Sequence, residues 1–534
     1  MSKITNRLID NLLQGKTEQS SGDKLKINNV IGAAAIVYEK VRNAVDYQEE
    51  HLIRKNAIYR ILRRKLLYEK VVFENYLLDK YHSDNMSKQL ILELVRGGYI
   101  PKTVPEKMVD VVDEIVQKYE KLFSNIKETK GKVDKKTYRY FLELAAVELE
   151  SALIPPKKEK AMANAMFSVY NPRLEFAAED INKKQKELQV YIACYRALWK
   201  YDESMLRFLL LSLYYPEWKE NDQELIIKLS NNVDKLIREF DKQINHPWQK
   251  LLQKILKKRA IVFWIIQDIV EANPDQAEEI FSDKERLENE IKKALTKRYK
   301  NVRVKLRRGV VRSIIYVFFT KMILALAVEV PLDIYLAGYI NKVSMAINIL
   351  FPPLLMFLVA IMIRMPKKEN AAKITQEIMD ISFKSNVGKK YILKDTRKRG
   401  KIVKGIFNLV YAASFIFSLM VIFWGLNKLD FNVGSSFIFV LFLTLVSFFG
   451  IRIRRPVKEL MMVERRQSLL SALVDFFALP FVSMGRWMSV KFSKMNFIAY
   501  FLDIIIEAPF KLLIEVFEDL FGFIREKKEE VMED

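Results

Sequence analysis

Lys321, Glu329 and Asp333 interrupt an otherwise apolar stretch, SIIYVFFTKMILALAVEVPLDIYL, at residues 313–336. At 100° per residue the three fall within about 120° of one helix face, and Lys321 and Glu329 stand about 12 Å apart along its axis. Ionisable groups inside a membrane span are costly and face a bundle interior or water. A stripe of this kind is a candidate path for a cation or a proton. Pro331 in the same stretch, and Pro352 and Pro353 further on, have no N–H to donate and would free the carbonyls of Ala327, Asn348 and Ile349. Broken backbone at membrane depth is tolerated where it is buried or lines a cavity. Asn348, Pro331, Pro352 and Pro353 therefore join the candidate polar site. A competing reading ends the first span near Val328, leaving Glu329 and Asp333 at the outer interface and Lys321 snorkelling or paired.

Few other residues offer chemistry. The chain has one cysteine, Cys194, and three histidines, His51, His82 and His246. That excludes a disulfide framework and any cysteine-based zinc or iron–sulfur site. Cys194 lies in YIACYRALW, an apolar helical stretch, and reads as core. The histidines lack the spacing of a metal site and read as surface or capping residues. Gly15-Lys16-Thr17 invites a phosphate-loop reading, but such a loop needs glycine where Asp10 stands, after a strand. No dinucleotide, hydrolase or zinc-protease motif occurs. The expectation is a protein that is not an enzyme and uses no cofactor or metal.

A charged stripe at membrane depth has to be held by a bundle of spans. A bilayer core about 30 Å thick takes roughly 20 mostly apolar residues in a helix. Stretches at about 313–336, 343–363, 405–426 and 433–451 meet that length, and the last three carry no charge. Buried helices of soluble proteins usually show a polar face, and these three show none. The links 337–342 and 427–432 are short and carry little charge. The other flanks are strongly basic, with Arg303, Lys305, Arg307 and Arg308 before the first span, Arg397, Lys398 and Arg399 before the third, and Arg452, Arg454 and Arg455 after the fourth. The positive-inside rule then places both termini of a multi-pass membrane protein in the cytoplasm. The same cations are expected contacts for anionic lipid, at about 1 kcal/mol each. No nucleic-acid-binding fold signature accompanies them, so nucleic acid is not an expected partner.

The first 300 residues read as helices with a 3.6-residue apolar period. In 51–81, Ile53, Ala57, Ile58, Ile61 and Leu62 share a side; in 107–123, Met108, Val112, Ile115, Val116 and Tyr119 do. Further amphipathic stretches are 186–199, 203–215, 223–240 and 247–270, and a charged helix at 280–299 leads into the membrane. No strand alternation or hairpin dipeptide stands out. Composition divides the chain into helical regions 1–155 and 156–300, a transmembrane region 301–455, and membrane-proximal helices 456–534. Two apolar stretches in the last region, 468–488 and 497–524, leave four or six spans open. The second carries a mostly acidic stripe, Asp503, Glu507, Lys511, Glu515 and Glu518, suited to the protein's own basic surface or to a partner.

The expected fold is an all-α integral membrane protein with a large N-terminal cytoplasmic helical domain, two transmembrane hairpins and an amphipathic C-terminal region. The expected function is a membrane-anchored scaffold or assembly protein that binds a protein partner, or further copies of itself, at the inner face of the lipid bilayer. An ion channel or transporter working through the charged, proline-broken first hairpin is the alternative.

Overall fold

A computed structural model describes residues 1–14, 49–73, 84–176, 182–339, 341–384, 390–393, 401–463 and 476–488. These are predominantly helical and divide into two compact units. One takes in Met1–Lys257 with residues 390–393. The other takes in Lys258–Lys384 with residues 401–463 and 476–488. Residue 155 falls inside the first unit and residue 300 inside the second, in mid-helix.

The first unit holds α1 (Lys3–Gln14), α2 (Glu50–Phe73), α3 (Asp84–Arg96), α4 (Met108–Lys130), α5 (Lys135–Leu153), α6 (Lys157–Tyr170), α7 (Lys183–Leu198), α8 (Glu203–Tyr214), α9 (Gln223–Asn231), α10 (Val233–Ile244) and α11 (Trp248–Leu256). Starts are set by short acidic or amide side chains that take up orphan N–H groups. Asp134 accepts from the amides of Lys136 and Thr137, Asn182 from Gln185, and Asp202 from Met205. Gly131, with φ of 73°, ends α4 in the left-handed region. At the centre lies α5, buried through Phe141, Leu142, Leu144, Ala145, Val147 and Leu149, together with Glu148 and Glu150. Residues 223–240, expected as one helix, break at Asn232, which ends α9 and leads α10. A pair of strands went unforeseen: β1 (Leu174–Phe176) runs parallel to β2 (Tyr391–Leu393), with Leu174 opposite Tyr391. Three residues are too few for a period of two to show.

The second unit holds α12 (Ala260–Ala272), α13 (Ala277–Ser282), α14 (Lys284–Leu324), α15 (Val330–Ala337), α16 (Lys342–Ile361), α17 (Lys368–Phe383), α18 (Lys401–Lys428), α19 (Val433–Glu459) and a last helix, α20, at 476–488. Among the described residues four helical stretches are long and apolar enough to cross a membrane: α14 continuing into α15, then α16, α18 and α19. They cover the four stretches expected from the sequence. The whole of α14 is one 41-residue helix started by Asp283. Its first half packs through Leu287, Ile291 and Leu295, four residues apart, in a region where α12, α13 and α17 meet it. Its second half packs against α16 and α19.

Close approach in the apolar bundle depends on small residues, as is usual between membrane helices. A Cβ on Gly450 of α19 would come within 2.7 Å of Val359 on α16, and one on Gly485 of α20 within 2.3 Å of the Thr444 carbonyl oxygen. The described part of the stretch 468–488, helix α20, rests on α18 and α19, with Phe481 against Phe415 and Met488 against Thr444. The stretch 497–524 lies outside the described residues.

Candidate intramembrane polar site

Within the second unit, polar side chains of three apolar helices meet. Lys321 is fully buried on α14, and its Nζ pairs with the Glu329 carboxylate and sits 4.6 Å from the centre of the Phe442 ring on α19. Eight residues of straight helix would separate Lys321 from Glu329 by about 12 Å. Between them Ala325–Glu329 form a π turn, with the Val330 amide bonded to the Ala325 carbonyl, and the two long side chains close the remaining gap. Single π turns of this kind recur at functional positions. The turn stands where Pro331 has no N–H to give.

Glu329 Oε2 accepts from Asn348 Nδ2 on α16 at 2.8 Å, and the same nitrogen lies 3.4 Å from the Ser435 carbonyl on α19. Ser435 Oγ donates to Asp333 Oδ1 at 2.9 Å, and Asn432 Nδ2 donates to that oxygen at 2.5 Å. Asn432 also caps α19, accepting from the Ser435 amide at 2.8 Å. Asp333 thus faces the positive end of the α19 dipole. All four of Lys321, Glu329, Asp333 and Asn348 are at most 4% exposed. The oxygen of Asn348, Oδ1, is buried without a hydrogen-bond partner.

The structure therefore brings Lys321, Glu329, Asp333 and Asn348 together. The helix does not stop near Val328: it continues through the π turn and α15 to Ala337, where Gly338, at φ of 76°, ends it. Lys321 is paired with Glu329, an arrangement that the competing reading also allowed. Pro331 lies exposed, outside the cluster, whereas Pro352 and Pro353 are buried within an unbroken α16. The expected backbone breaks thus amount to one π turn. Sequence reasoning missed Asn432, Ser435 and Phe442. The spacing of Asn432 and Ser435 reads as a helix cap, a role that is complete in itself and conceals the second one.

In the first unit two polar networks serve packing. Glu148 accepts from Lys118 Nζ at 2.5 Å, Tyr119 hydroxyl at 2.9 Å and Trp218 Nε1 at 2.9 Å, all within the core. His51, Arg54 and Lys55 of α2 face three acids on other helices. Arg54 bonds Glu150 at 2.8 Å, Lys55 pairs with Asp202, and His51 lies 4.0 Å from Glu159, which also accepts from Tyr201 at 2.6 Å. Burial pushes the Glu150 carboxyl up to about 7 against the pull of Arg54, and it lowers His51. Asp202 is held below its ordinary value, since Lys55 and the α8 amide outweigh burial. His51, expected at the surface or in a cap, is buried because side chains of α5, α6 and α8 close over this side of α2. Cys194 is core, and burial alone pushes its thiol well up, away from nucleophile chemistry.

Of the cations expected to touch anionic lipid, Arg303, Lys305, Arg307, Arg308 and Arg455 are exposed, and Arg452 and Arg454 are half-buried. Arg397, Lys398 and Arg399, and the stripe from Asp503 to Glu518, lie outside the described residues. Among the described residues no group of three His, Cys, Asp or Glu is placed to hold a metal ion. No protein-family model matches the chain, and neither the curated proteins nor the solved structures yield a match to it.

Proposed function

We propose that this chain is a multi-pass membrane protein that handles small ions at the cluster joining Lys321, Glu329, Asn348, Ser435 and Asp333, with both termini in the cytoplasm. One observation carries the reading: ionisable and polar side chains, buried in apolar helices, bond to one another in succession over about 18 Å of helix axis. The succession begins near the Gly338 turn and descends to Lys321 in the interior of the first span. Burying such groups is costly, and a membrane protein that retains them has a use for them. The orientation rests on the basic flanks of the spans. The unbroken α14 supports coupling as well, because one rigid helix, about 60 Å long, carries both Lys321 and the packed Leu287, Ile291 and Leu295. Ion flux into proteoliposomes tests the reading, with Glu329→Gln and Lys321→Met as the variants that should reduce it.

The scaffold reading stands second. It is supported by the first unit, whose buried charges satisfy one another within a helical core, as a rigid presenting module requires. In this reading the bundle is an anchor, and the first unit engages a protein partner or further copies of the chain. Gentle purification followed by native mass spectrometry tests it: a stoichiometric partner or a defined oligomer is expected, and a bare monomer counts against it.

A further inference from the structure

We infer that the cluster holds one exchangeable monovalent cation, a proton or an alkali ion, with Asp333 as the charge that retains it. The inference rests on the ion-handling reading and gives that site a sign, a stoichiometry and an anchor. The first ground is the charge count. Lys321 and Glu329 neutralise each other in a fully buried pair. Asp333, 4% exposed, makes no ion pair among the described residues and is bonded only by two neutral donors, Asn432 Nδ2 and Ser435 Oγ. The cluster is left one negative charge in excess, in surroundings where an uncompensated charge is strongly disfavoured. One positive charge restores neutrality, whereas a divalent ion would overshoot it.

The second ground is independent of charge. Asn348 is 1% exposed, its nitrogen is spent on Glu329 and the Ser435 carbonyl, and its oxygen has no donor. A buried amide oxygen in that state is matched by a proton-bearing group or a small hard cation. Carboxylate, hydroxyl and amide oxygens are the ligands such cations take.

Among the described residues no other formal charge on the packed helices does the work, and the α19 dipole offsets the Asp333 charge only in part. On its own helix Asp333 is joined by Lys321 and Glu329. On α16 the one titratable residue is Lys342, exposed at the helix start, and α19 has none before Arg452. The turn preceding α19 brings only Lys428 and Asp430, both exposed.

The test uses the full chain in nanodiscs of neutral phosphatidylcholine. Its melting temperature is followed against sodium and potassium chloride at constant ionic strength and pH 8, and against pH without alkali ion. The wild type is expected to melt several degrees higher as one of these cations saturates it. A response to sodium or potassium identifies an alkali ion; a response to acid alone identifies a proton. Asp333→Asn removes the excess charge and is expected to abolish the response. Ser435→Ala keeps every charge and loses one bond to a charged group, so the half-saturating concentration should rise about tenfold. A wild type indifferent to both cations, or an Asp333→Asn response equal to the wild type's, overturns the inference. If Asp333→Asn does not fold, an unchanged midpoint in Ser435→Ala overturns it instead. Ion-dependent melting without flux would leave this site standing and remove the transport reading. Flux with melting insensitive to Asp333→Asn would do the reverse.

Discussion

Removing either partner of the buried Lys321–Glu329 pair strands the other. In Lys321→Met, Glu329 retains only the Asn348 amide at 2.8 Å. In Glu329→Gln, the Lys321 ammonium, with no exposed surface, keeps only the Phe442 ring. Breaking a buried pair from one side costs about 3–5 kcal/mol. For a unit of this size each kcal/mol shifts the melting temperature by roughly 2–4 °C, so each single variant should melt about 10 °C below wild type. The double variant removes both charges, and its Gln can still accept from Asn348. Replacing a buried pair as a whole is often close to neutral, so the double variant should recover most of the loss, with a coupling energy of at least about 2 kcal/mol. Thermal unfolding in nanodiscs, followed by near-ultraviolet circular dichroism, measures all four corners of the cycle. If Lys321→Met is neutral, or if the single effects merely add, Lys321 is not held by Glu329 and the reasoning fails.

Four further outcomes are expected. Glu148→Ala leaves the Lys118 ammonium with one carbonyl at 3.1 Å and strands Tyr119 and Trp218, so the first unit should lose about 3–5 kcal/mol; a shift in Trp218 fluorescence should mark the loss. Burial raises Glu150 from 4.5 to about 7, so the folded state binds an extra proton between those values. Stability of the first unit should then fall by about 3 kcal/mol as pH rises from 4.5 through 7, and Glu150→Gln should flatten that limb of a pH–stability profile. His51 acts in the opposite sense: held below 6.5, it makes stability fall as pH drops through that range, and His51→Asn should flatten the acid limb. Replacing Arg303, Arg307 and Arg308 with Gln should weaken retention of anionic over neutral lipid around the purified protein by roughly fivefold per residue, as measured by competitive lipid exchange.

The long apolar helices were legible because length and apolarity suffice to define them. Lys321, Glu329 and Asp333 were legible as a face because helical phase is fixed by spacing. What spacing does not supply is the partner. Nothing in the sequence pairs Asp333 with Asn432, ninety-nine residues away, since that contact depends on how α15 and α19 pack. The π turn was hidden for a related reason: Pro331 announces a lost hydrogen bond without saying how the helix accommodates it. In the first unit the apolar periods located the helices, whereas their buried ion pairs went unseen. His51, Arg54 and Lys55 read as an ordinary polar helix edge until α5, α6 and α8 bring Glu150, Glu159 and Asp202 against them.

Flux tests the ion-handling claim most directly. The purified chain is reconstituted in proteoliposomes carrying a dye selective for the cation under test, and ion entry is recorded under an imposed potential with sodium, potassium or proton as the only permeant cation. The account predicts entry above empty liposomes for one of these cations, reduced at least about tenfold in Glu329→Gln, a loss of about 1.4 kcal/mol or more. Wild-type liposomes no leakier than empty ones, or a Glu329→Gln variant as active as the wild type, would contradict it.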